Sequence, residues 1–332
     1  MWKYSEILVK ILDYCEMKCA MCGQLSQEDR RKVLPLSALE ELFKNNPLKI
    51  ERVYIWGGEP LLHPQIVEII RFFKAQNALV AMNTNAYALS RNLTEIIESG
   101  LDRIIFSIDG SNAETHDQIR GMPGSYQRIM DAISALNGYS CNDFSIPKIR
   151  INFVVLPTNY TQIIEFLAWA RQTSIYRIHF QLPIFFTRDQ LNAYRNIIED
   201  KCGCSARNYN AFVSDFQGID YDLLGEIMKT VHEHNFGFAQ FYPYPSLNSD
   251  ELRRYFTTMD PIRSCRCDVF DQKLAIDSSG RFVTCPDFPD LSFGNIENGF
   301  VDTKLRRWLE GRFDSGENLP VCNRCCHFVP VE

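Results

Sequence analysis

The sequence predicts an α/β protein: a parallel sheet with helical crossovers, curled into a barrel-like (β/α) arrangement, followed by a small cysteine-rich end. Three observations predict it. Short runs dominated by Val, Ile and Phe alternate with longer amphipathic stretches through about residue 185, which implies parallel strands joined by helices. No Gly-rich dinucleotide fingerprint accompanies these units, which favours a barrel over a doubly wound sheet, with an open sheet as the other arrangement the pattern allows. The 12 cysteines crowd towards the two ends of the 332-residue chain.

The runs read as strands are residues 7–13, 52–56, 79–83, 103–108, 149–156 and 177–182, too short for buried helices and rich in β-formers. Between them lie helices with readable ends. Ser37 and Glu40 form a capping box before Leu39, Leu42 and Phe43. Gly100 sits just past the helix that carries Ile96 and Ile97, where a left-handed residue closes the last turn. Asn159 or Thr161 opens a helix over 162–171. Beyond residue 186 a polar, Asn-rich segment (188–210) leads to a helix at 221–235 and an aromatic strand within 236–244. Residues 274–285 read as two short strands about a Ser278-Ser279-Gly280 turn, and 301–311 as a helix. The last 70 or so residues show little core of their own, so a metal is expected to hold them. The division expected is 1–215 for the barrel, 216–264 for a connecting helix and strand, and 265–332 for the cysteine-rich end.

Composition removes several classes. A formal net charge of −6 is opposite to the basic footprint of a nucleic-acid scaffold. No apolar run approaches the roughly 18 residues needed to span a bilayer, and the first ten residues lack the layout of a secretory signal, so a cytoplasmic, membrane-free protein is expected. In that compartment thiols stay reduced, and two terminal groups of cysteines read as metal sites, not disulfides.

The first group, Cys15-x3-Cys19-x2-Cys22, follows the first strand, at the end of the barrel where (β/α) folds carry their chemistry. Three thiolates so close together do not close a four-ligand zinc site without a distant partner. They can hold three irons of a [4Fe–4S] cluster and leave the fourth open to a ligand bearing an amine and a carboxylate. This spacing resembles the signature of the radical S-adenosylmethionine (SAM) enzymes, and further matches follow in order. Gly57-Gly58-Glu59-Pro60 after the second strand resembles the family's GGEP motif, whose backbone carbonyls and Glu contact the methionine amino group. Asn83-Thr84-Asn85 ends the third strand as the family's NTN stretch does, and Ser107-Ile108-Asp109-Gly110 ends the fourth like the stretch lining the SAM pocket. Arg120 matches an arginine that pairs with the SAM carboxylate, a task suited to a permanently charged fork. Asn152 and Leu182 match contacts to the ribose and adenine sides, and Met21 falls where the family places an apolar residue against adenine. The resemblance spans residues 7 to about 185 and implies a partial (β/α)6 TIM-like barrel.

Near the other end, Cys267, twelve residues, Gly280, four residues and Cys285 are similar to the SPASM/twitch extension of many radical SAM enzymes. There the glycine is the hairpin turn that brings two cysteines to one cluster. With Cys322 and Cys325 the resemblance implies one auxiliary [4Fe–4S] cluster on four thiolates; structural zinc on the same four is the competing reading. Cys265 and Cys326 are spare thiols able to replace a neighbour. Cys141, Cys202 and Cys204 read as incidental, with a substrate-contacting thiol at 202 or 204 as the alternative. Among the six histidines only His179, alternating with Ile178 and Phe180 on the sixth strand, is a candidate general base; His63, His116, His232 and His234 carry no reading of that kind.

The function so implied is reductive cleavage of SAM to a 5′-deoxyadenosyl radical that takes a hydrogen atom from a substrate, in an oxidoreductase or lyase reaction. A flavodoxin- or ferredoxin-type donor would supply the electron. The substrate class expected is a small molecule (a sugar, aminoglycoside or nucleoside intermediate undergoing dehydrogenation, decarboxylation or dehydration). Peptide maturases of this type carry a leader-recognition domain before the first cysteine motif, and only 14 residues precede Cys15. A peptide precursor is the alternative substrate. A non-enzymatic Fe–S electron carrier or a zinc-stabilised binding module is the remaining class, but neither accounts for GGEP, SIDG and Arg120 at successive strand ends.

Overall fold

The computed structural model describes residues 4–26, 31–45, 49–139, 145–203, 205–235, 237–258, 260–263, 265–300, 303–325 and 327–330. Cys141, Cys204 and Cys326 lie outside them. In chain order the first half contains β1 (Glu6–Lys10), α1 (Leu36–Asn45), β2 (Arg52–Trp56), α2 (Ile66–Ala75), β3 (Leu79–Thr84), α3 (Leu93–Glu98), β4 (Arg103–Ser107), α4 (Ala113–Arg120), α5 (Ser125–Gly138), β5 (Lys148–Val154), α6 (Ile163–Ala170) and β6 (Ile175–Gln181). The second half contains α7 (Arg188–Cys202), α8 (Tyr221–Asn235), β7 (Ala239–Tyr242), α9 (Ser249–Thr257), β8 (Cys265–Cys267), α10 (Asp268–Gln272) and β9 (Lys273–Ile276). It closes with β10 (Arg281–Val283), β11 (Ser292–Asn295), β12 (Gly299–Phe300), α11 (Thr303–Asp314) and β13 (Phe328–Pro330). No helix among the described residues is long and apolar enough to cross a membrane.

One sheet runs in the order β12-β11-β10-β9-β1-β2-β3-β4-β5-β6-β7. Every pair from β9 through β7 is parallel, while β9–β10, β10–β11 and β11–β12 are antiparallel. Its two edges are β12 and β7, so this is the curled, incomplete barrel expected. Alternation decides what each face does. Ile7, Val9, Val53, Ile55, Val80, Met82, Ile104, Phe106, Ile151, Phe153, Ile178 and Phe180 are buried in the main core. The residues between them, among them Leu8, Tyr54, Trp56, Asn83, Ser107, Arg150, Asn152, His179 and Gln181, line the interior of the barrel.

Gly100 adopts φ +80° after α3, and Gly280 adopts φ +73° in the β9–β10 hairpin, both in the left-handed region the sequence reading requires. Three elements depart from that reading. Helix α1 starts at Leu36, so Ser37 lies inside its first turn instead of capping it. Pro35 presets the entry, and the Leu36 N–H is taken at 3.2 Å by the side-chain carbonyl of Gln65. The Asn-rich segment, to which the sequence reading gave no element, is the helix α7 over its first 15 residues. Thr187 and Gln190 form its capping box, and Leu191, Tyr194 and Ile198 make a buried stripe.

The third departure is the C-terminal end, which does not depend on metal alone. Strand β9 adds to the sheet in parallel beside β1. Apart from it, Leu291, Leu309, Leu319 and Val321 share a second apolar core with Leu191, Tyr194, Ile198 and Phe212. Arg324 is fully buried and donates to the carbonyls of Tyr255 (2.6 Å), Asp260 (2.9 Å) and Arg254 (3.2 Å), tying the last turn to the end of α9.

Candidate active site

The barrel encloses a cavity of about 450 Å³, within the range of small-ligand sites. Cys15, Cys19 and Cys22 all line it, with Met21, Gly57, Gly58, Glu59, Asn83, Ser107, Arg120, Asn152 and His179. Sequence reasoning therefore chose residues that share one space. Pro60, Asp109 and Leu182 do not line it; all three are buried behind its wall.

The loop after β1 is held by backbone bonds. The Ala20 N–H donates to the Ile119 carbonyl at 2.8 Å, and the Cys22 N–H to the Cys19 carbonyl at 3.0 Å. The Gly57-Gly58-Glu59 turn is locked against the same loop, with the Gly58 N–H on the Leu12 carbonyl and the Glu59 N–H on the Tyr14 carbonyl, both at 2.8 Å. That approach demands glycine: a Cβ at position 58 would lie 1.7 Å from the Tyr14 carbonyl oxygen. Burial pushes the Cys15 thiol up to about 12 and raises that of Cys19. Such thiols ionise when a metal's charge replaces the lost solvation, so the donor set fits a cluster bound through three sulfurs.

Glu59 is almost fully buried. Its Oε1 accepts from the Leu61 N–H (3.0 Å) and the Thr84 hydroxyl (2.5 Å), and its Oε2 from the Asn85 N–H (2.7 Å). Burial nonetheless pushes this carboxyl up to about 7. Oε2, with one donor, keeps acceptor capacity on the cavity side. Asn83, Ser107 and Asn152 form a row across β3, β4 and β5. Asn83 Nδ2 donates to the Ser107 hydroxyl at 3.3 Å, and Asn152 Nδ2 donates to Asn83 Oδ1 at 3.2 Å.

Arg120 ends α4, with Nη2 2.5 Å from Asp109 Oδ2 and Nη1 donating to Cys19 Sγ at 3.7 Å. Burial lowers its pKa, but Asp109, Cys19 and Cys22 outweigh that and hold it charged. Its Nε is buried with no hydrogen-bond partner. A guanidinium with one face on Asp109 and an unsatisfied N–H beside three cysteines is prepared for a carboxylate.

His179 stacks on Tyr242 with centroids 6.0 Å apart and an interplanar angle of 12°, and its Nε2 is buried without a partner. Burial, then Arg150 and Arg177, pull its pKa down to about 3. The imidazole is therefore neutral near pH 7, with Nε2 left to hydrogen-bond into the cavity. Sequence reasoning passed over Gln24, Trp56, Arg150, Gln181 and Tyr242, all on the cavity wall. Arg150 was within reach, since it lies two residues from Asn152 and so shares its face of β5.

The second cysteine group also assembles. Pairing of β13 with β8 places Phe328 opposite Cys267, and Cys322 begins the preceding 3-10 turn. Burial raises the Cys285 thiol well above its usual range, and the nearby Cys325, Cys267 and Cys322 raise it further. The Phe288 N–H reaches Cys285 Sγ and the His327 N–H reaches Cys325 Sγ, both at 3.4 Å, the kind of contact that tunes an Fe–S centre. Among the described residues no set of three or more His, Cys, Asp or Glu side chains is arranged around a single metal-ion position. The fit to a cluster rests on four neighbouring thiols. Cys265 stands apart, its Sγ 3.3 Å from the Tyr244 hydroxyl. Asp287 and His327, each two residues from one of the four thiols, line the main cavity, so the two cysteine groups flank one space.

A partial (β/α) barrel with three cysteines after its first strand, and a cationic and a carboxylate side chain facing them, defines a cluster-dependent SAM-binding class. Residues 9–170 match the Radical SAM superfamily, and over that span the chain is a radical SAM domain, which implies SAM and a [4Fe–4S] cluster. The chain is 35% identical over 130 residues to the AdoMet-dependent heme synthase of Methanosarcina barkeri, covering 38% of this chain and 36% of that protein. It is 32% identical over 160 residues to a GTP 3′,8-cyclase of Microcystis aeruginosa, covering 45% and 47%. The match thus spans about half or less of these curated relatives. Among solved structures, SuiB of Streptococcus suis bound to S-adenosylmethionine superposes with a TM-score of 0.61 at 15% identity, covering 98% of this chain and 72% of that one. The enzyme anSMEcpe with bound AdoMet gives 0.61 at 15% identity, covering 97% and 89%. At that identity the likeness is one of fold.

Proposed function

We propose that this chain is a radical SAM enzyme acting on a small molecule, and that it uses one SAM-binding and one auxiliary [4Fe–4S] cluster. The observation that carries the reading is the convergence of Cys15, Cys19 and Cys22 on the cavity that also receives Arg120 and Glu59. A [4Fe–4S] cluster at Cys15, Cys19 and Cys22 would supply the chemistry of the family, one-electron cleavage of the sulfonium S–C5′ bond of SAM to methionine and a 5′-deoxyadenosyl radical able to take a hydrogen atom from the substrate.

The chain's own residues supply position. Cys15, Cys19 and Cys22 hold three irons. Arg120, steadied by Asp109, takes the SAM carboxylate on its unsatisfied face, while Glu59 Oε2 and the carbonyls of the glycine turn accept from the SAM amino group. Asn83, Ser107 and Asn152 form a polar rail for the ribose, and Met21 an apolar wall for adenine. Cys267, Cys285, Cys322 and Cys325 would hold the auxiliary centre, which would supply an acceptor for the second electron of an oxidation or shape the pocket. The electron donor is of flavodoxin or ferredoxin type. Beyond Asn152 the cavity continues inside the barrel to Arg150, His179, Gln181 and Tyr242, a space suited to a compact substrate.

The test is anaerobic reconstitution with iron and sulfide, followed by dithionite and SAM. Formation of 5′-deoxyadenosine by the wild type and its loss in Cys19→Ala is the expected result. A wild type that binds a full cluster yet leaves SAM intact would overturn the reading. A peptide whose mass changes with the reduced enzyme and SAM would overturn the small-molecule assignment.

A further inference from the structure

Among the described residues, one cation on the cavity wall has no carboxylate partner. The cations on it are Arg120, Arg150, Lys273 and His327. Arg120 is paired with Asp109 at 2.5 Å, and Lys273 with Asp268 at 2.6 Å. His327 lies 3.6 Å from both Asp268 and Asp287. Of the wall's own carboxylates, Glu6 pairs with Arg52 at 3.3 Å, and Glu59 is held by the Leu61 N–H, the Thr84 hydroxyl and the Asn85 N–H, with no arginine or lysine paired to it among the described residues. Among the described residues no carboxylate pairs with Arg150, and its Nε is buried without a hydrogen-bond partner.

Its neighbours repeat the pattern. In the sheet register Asn152 stands opposite His179, so Arg150 lies one inward position further along β5, roughly 7 Å from the Asn83–Asn152 pair at ~3.3 Å per residue. His179 Nε2 and Trp56 Nε1 are likewise buried, unpartnered and on the same wall. A guanidinium, an indole N–H and an imidazole left unsatisfied around one space are costly unless a ligand completes them. Two of the three are pure donors, so the missing partner is an acceptor, and the guanidinium makes it an anion.

We infer that Arg150, with Trp56 and His179 beside it, anchors an oxyanion of the substrate, a carboxylate or a phosphate, deeper in the barrel than the SAM carboxylate held by Arg120. This rests on the proposed function for which ligand is the substrate, but not for the anion site itself. A planar fork binds either oxyanion through two parallel N–H bonds. Held there, the anionic end leaves the rest of the substrate directed along the cavity towards the cysteine loop, which fixes the face presented for hydrogen abstraction.

The experiment is calorimetric titration of the cluster-reconstituted full chain with inorganic phosphate and, separately, with acetate, at saturating SAM so that Arg120 is engaged. One of the two anions is expected to bind at a stoichiometry of one, and which one it is distinguishes a phosphorylated from a carboxylic substrate. Arg150→Gln should weaken that binding at least tenfold, and Arg150→Lys should fall between, keeping the charge but losing the fork. Should Arg150→Gln fail to fold, Arg150→Lys decides by the same titration. Wild-type affinity in the folded variants, or no binding of either anion to the wild type, would overturn the inference. If SAM does not bind, the proposed function fails by itself, and the anion titration still reads Arg150 on the same chain.

Discussion

Arg120 and Asp109 meet at 2.5 Å between Nη2 and Oδ2, and Asp109 is completely sealed from solvent. The carboxylate is itself fixed, because its Oδ1 accepts from the Val154 N–H at 2.7 Å and the Asn159 side chain donates to the Asp109 carbonyl at 3.1 Å. Asp109 thus acts through Arg120 as a positioning residue. Asp109→Asn leaves a buried guanidinium uncompensated and should cost about 3–5 kcal/mol of stability. It should also weaken SAM binding at least tenfold, whereas Arg120→Lys should lose SAM affinity with a smaller loss of stability. Urea unfolding paired with SAM titration checks both. An Asp109→Asn chain that binds SAM like the wild type would remove Asp109 from the site.

His116 contributes to the acid limb of the stability profile. It is fully buried on α4, its Nδ1 accepts from the Asp109 N–H at 3.1 Å, and its ring meets the Tyr126 ring edge-on at 5.7 Å. Burial and then Arg120 pull its pKa down to about 3, against an opposing pull from Asp117. Because the folded value lies below the unfolded one of about 6.5, its contribution is complete above pH 6.5 and is lost as the pH falls towards 3. The contribution of this group should therefore fall between pH 6.5 and 4, by at most roughly 3 kcal/mol at about 1.4 kcal/mol per pH unit, with His179 adding in the same sense and Glu59 opposing it. His116→Gln keeps an acceptor without a proton to gain and should make the fall in stability with acid shallower than in the wild type by that amount. Urea midpoints across this window decide it, and parallel curves for the two proteins would refute the assignment.

Gly58 tests whether the glycine turn serves the cysteine loop. A methyl at this position would strike the Tyr14 carbonyl oxygen at 1.7 Å, and backbone cannot move aside as a side chain would. Gly58→Ala should cost on the order of 1–3 kcal/mol and lower iron uptake at the first site at least twofold. Gly138→Ala, with nothing within 4 Å of the added Cβ, is the matched control and should match the wild type. Equal iron uptake in Gly58→Ala would show that the loop and the turn are independent.

Much of this was legible because periodicity and punctuation are local. The six β-rich runs, Gly100, Gly280 and the helix at Tyr221–Asn235 all appear where spacing places them. The order of Cys15, Gly57, Ser107 and Arg120 along the chain was enough to bring them together, because parallel strands deliver every loop to one end of the barrel. What escaped was decided elsewhere. Helix α7 hides its Leu191, Tyr194 and Ile198 stripe among Asn, Arg and Asp, and the stripe is apolar enough only because Phe288 and Leu309 pack on it from about a hundred residues away. The parallel pairing of β9 with β1 is a long-range contact with no local signature. Asp109, chosen as a ligand residue, instead spends its carboxylate on Arg120, a distinction that depends on which way a side chain turns at a strand end.

The auxiliary centre gives the most direct count. Cys267, Cys285, Cys322 and Cys325 come from β8, the strand end after β10 and the last turn, segments that the apolar core around Tyr194 and Leu309 already brings together. Iron should therefore bind to a site largely assembled by packing, and its removal should not unfold the barrel. Reconstituted wild type should hold about eight irons per chain and the Cys267→Ala, Cys285→Ala variant about four, if each site takes a four-iron cluster. Cys202→Ala, at the exposed end of α7, should leave the count unchanged. Iron and sulfide analysis beside circular dichroism reads both quantities. Four irons in wild type and variant alike would eliminate the second cluster, and sulfide-free zinc in its place would make those thiolates a structural metal site.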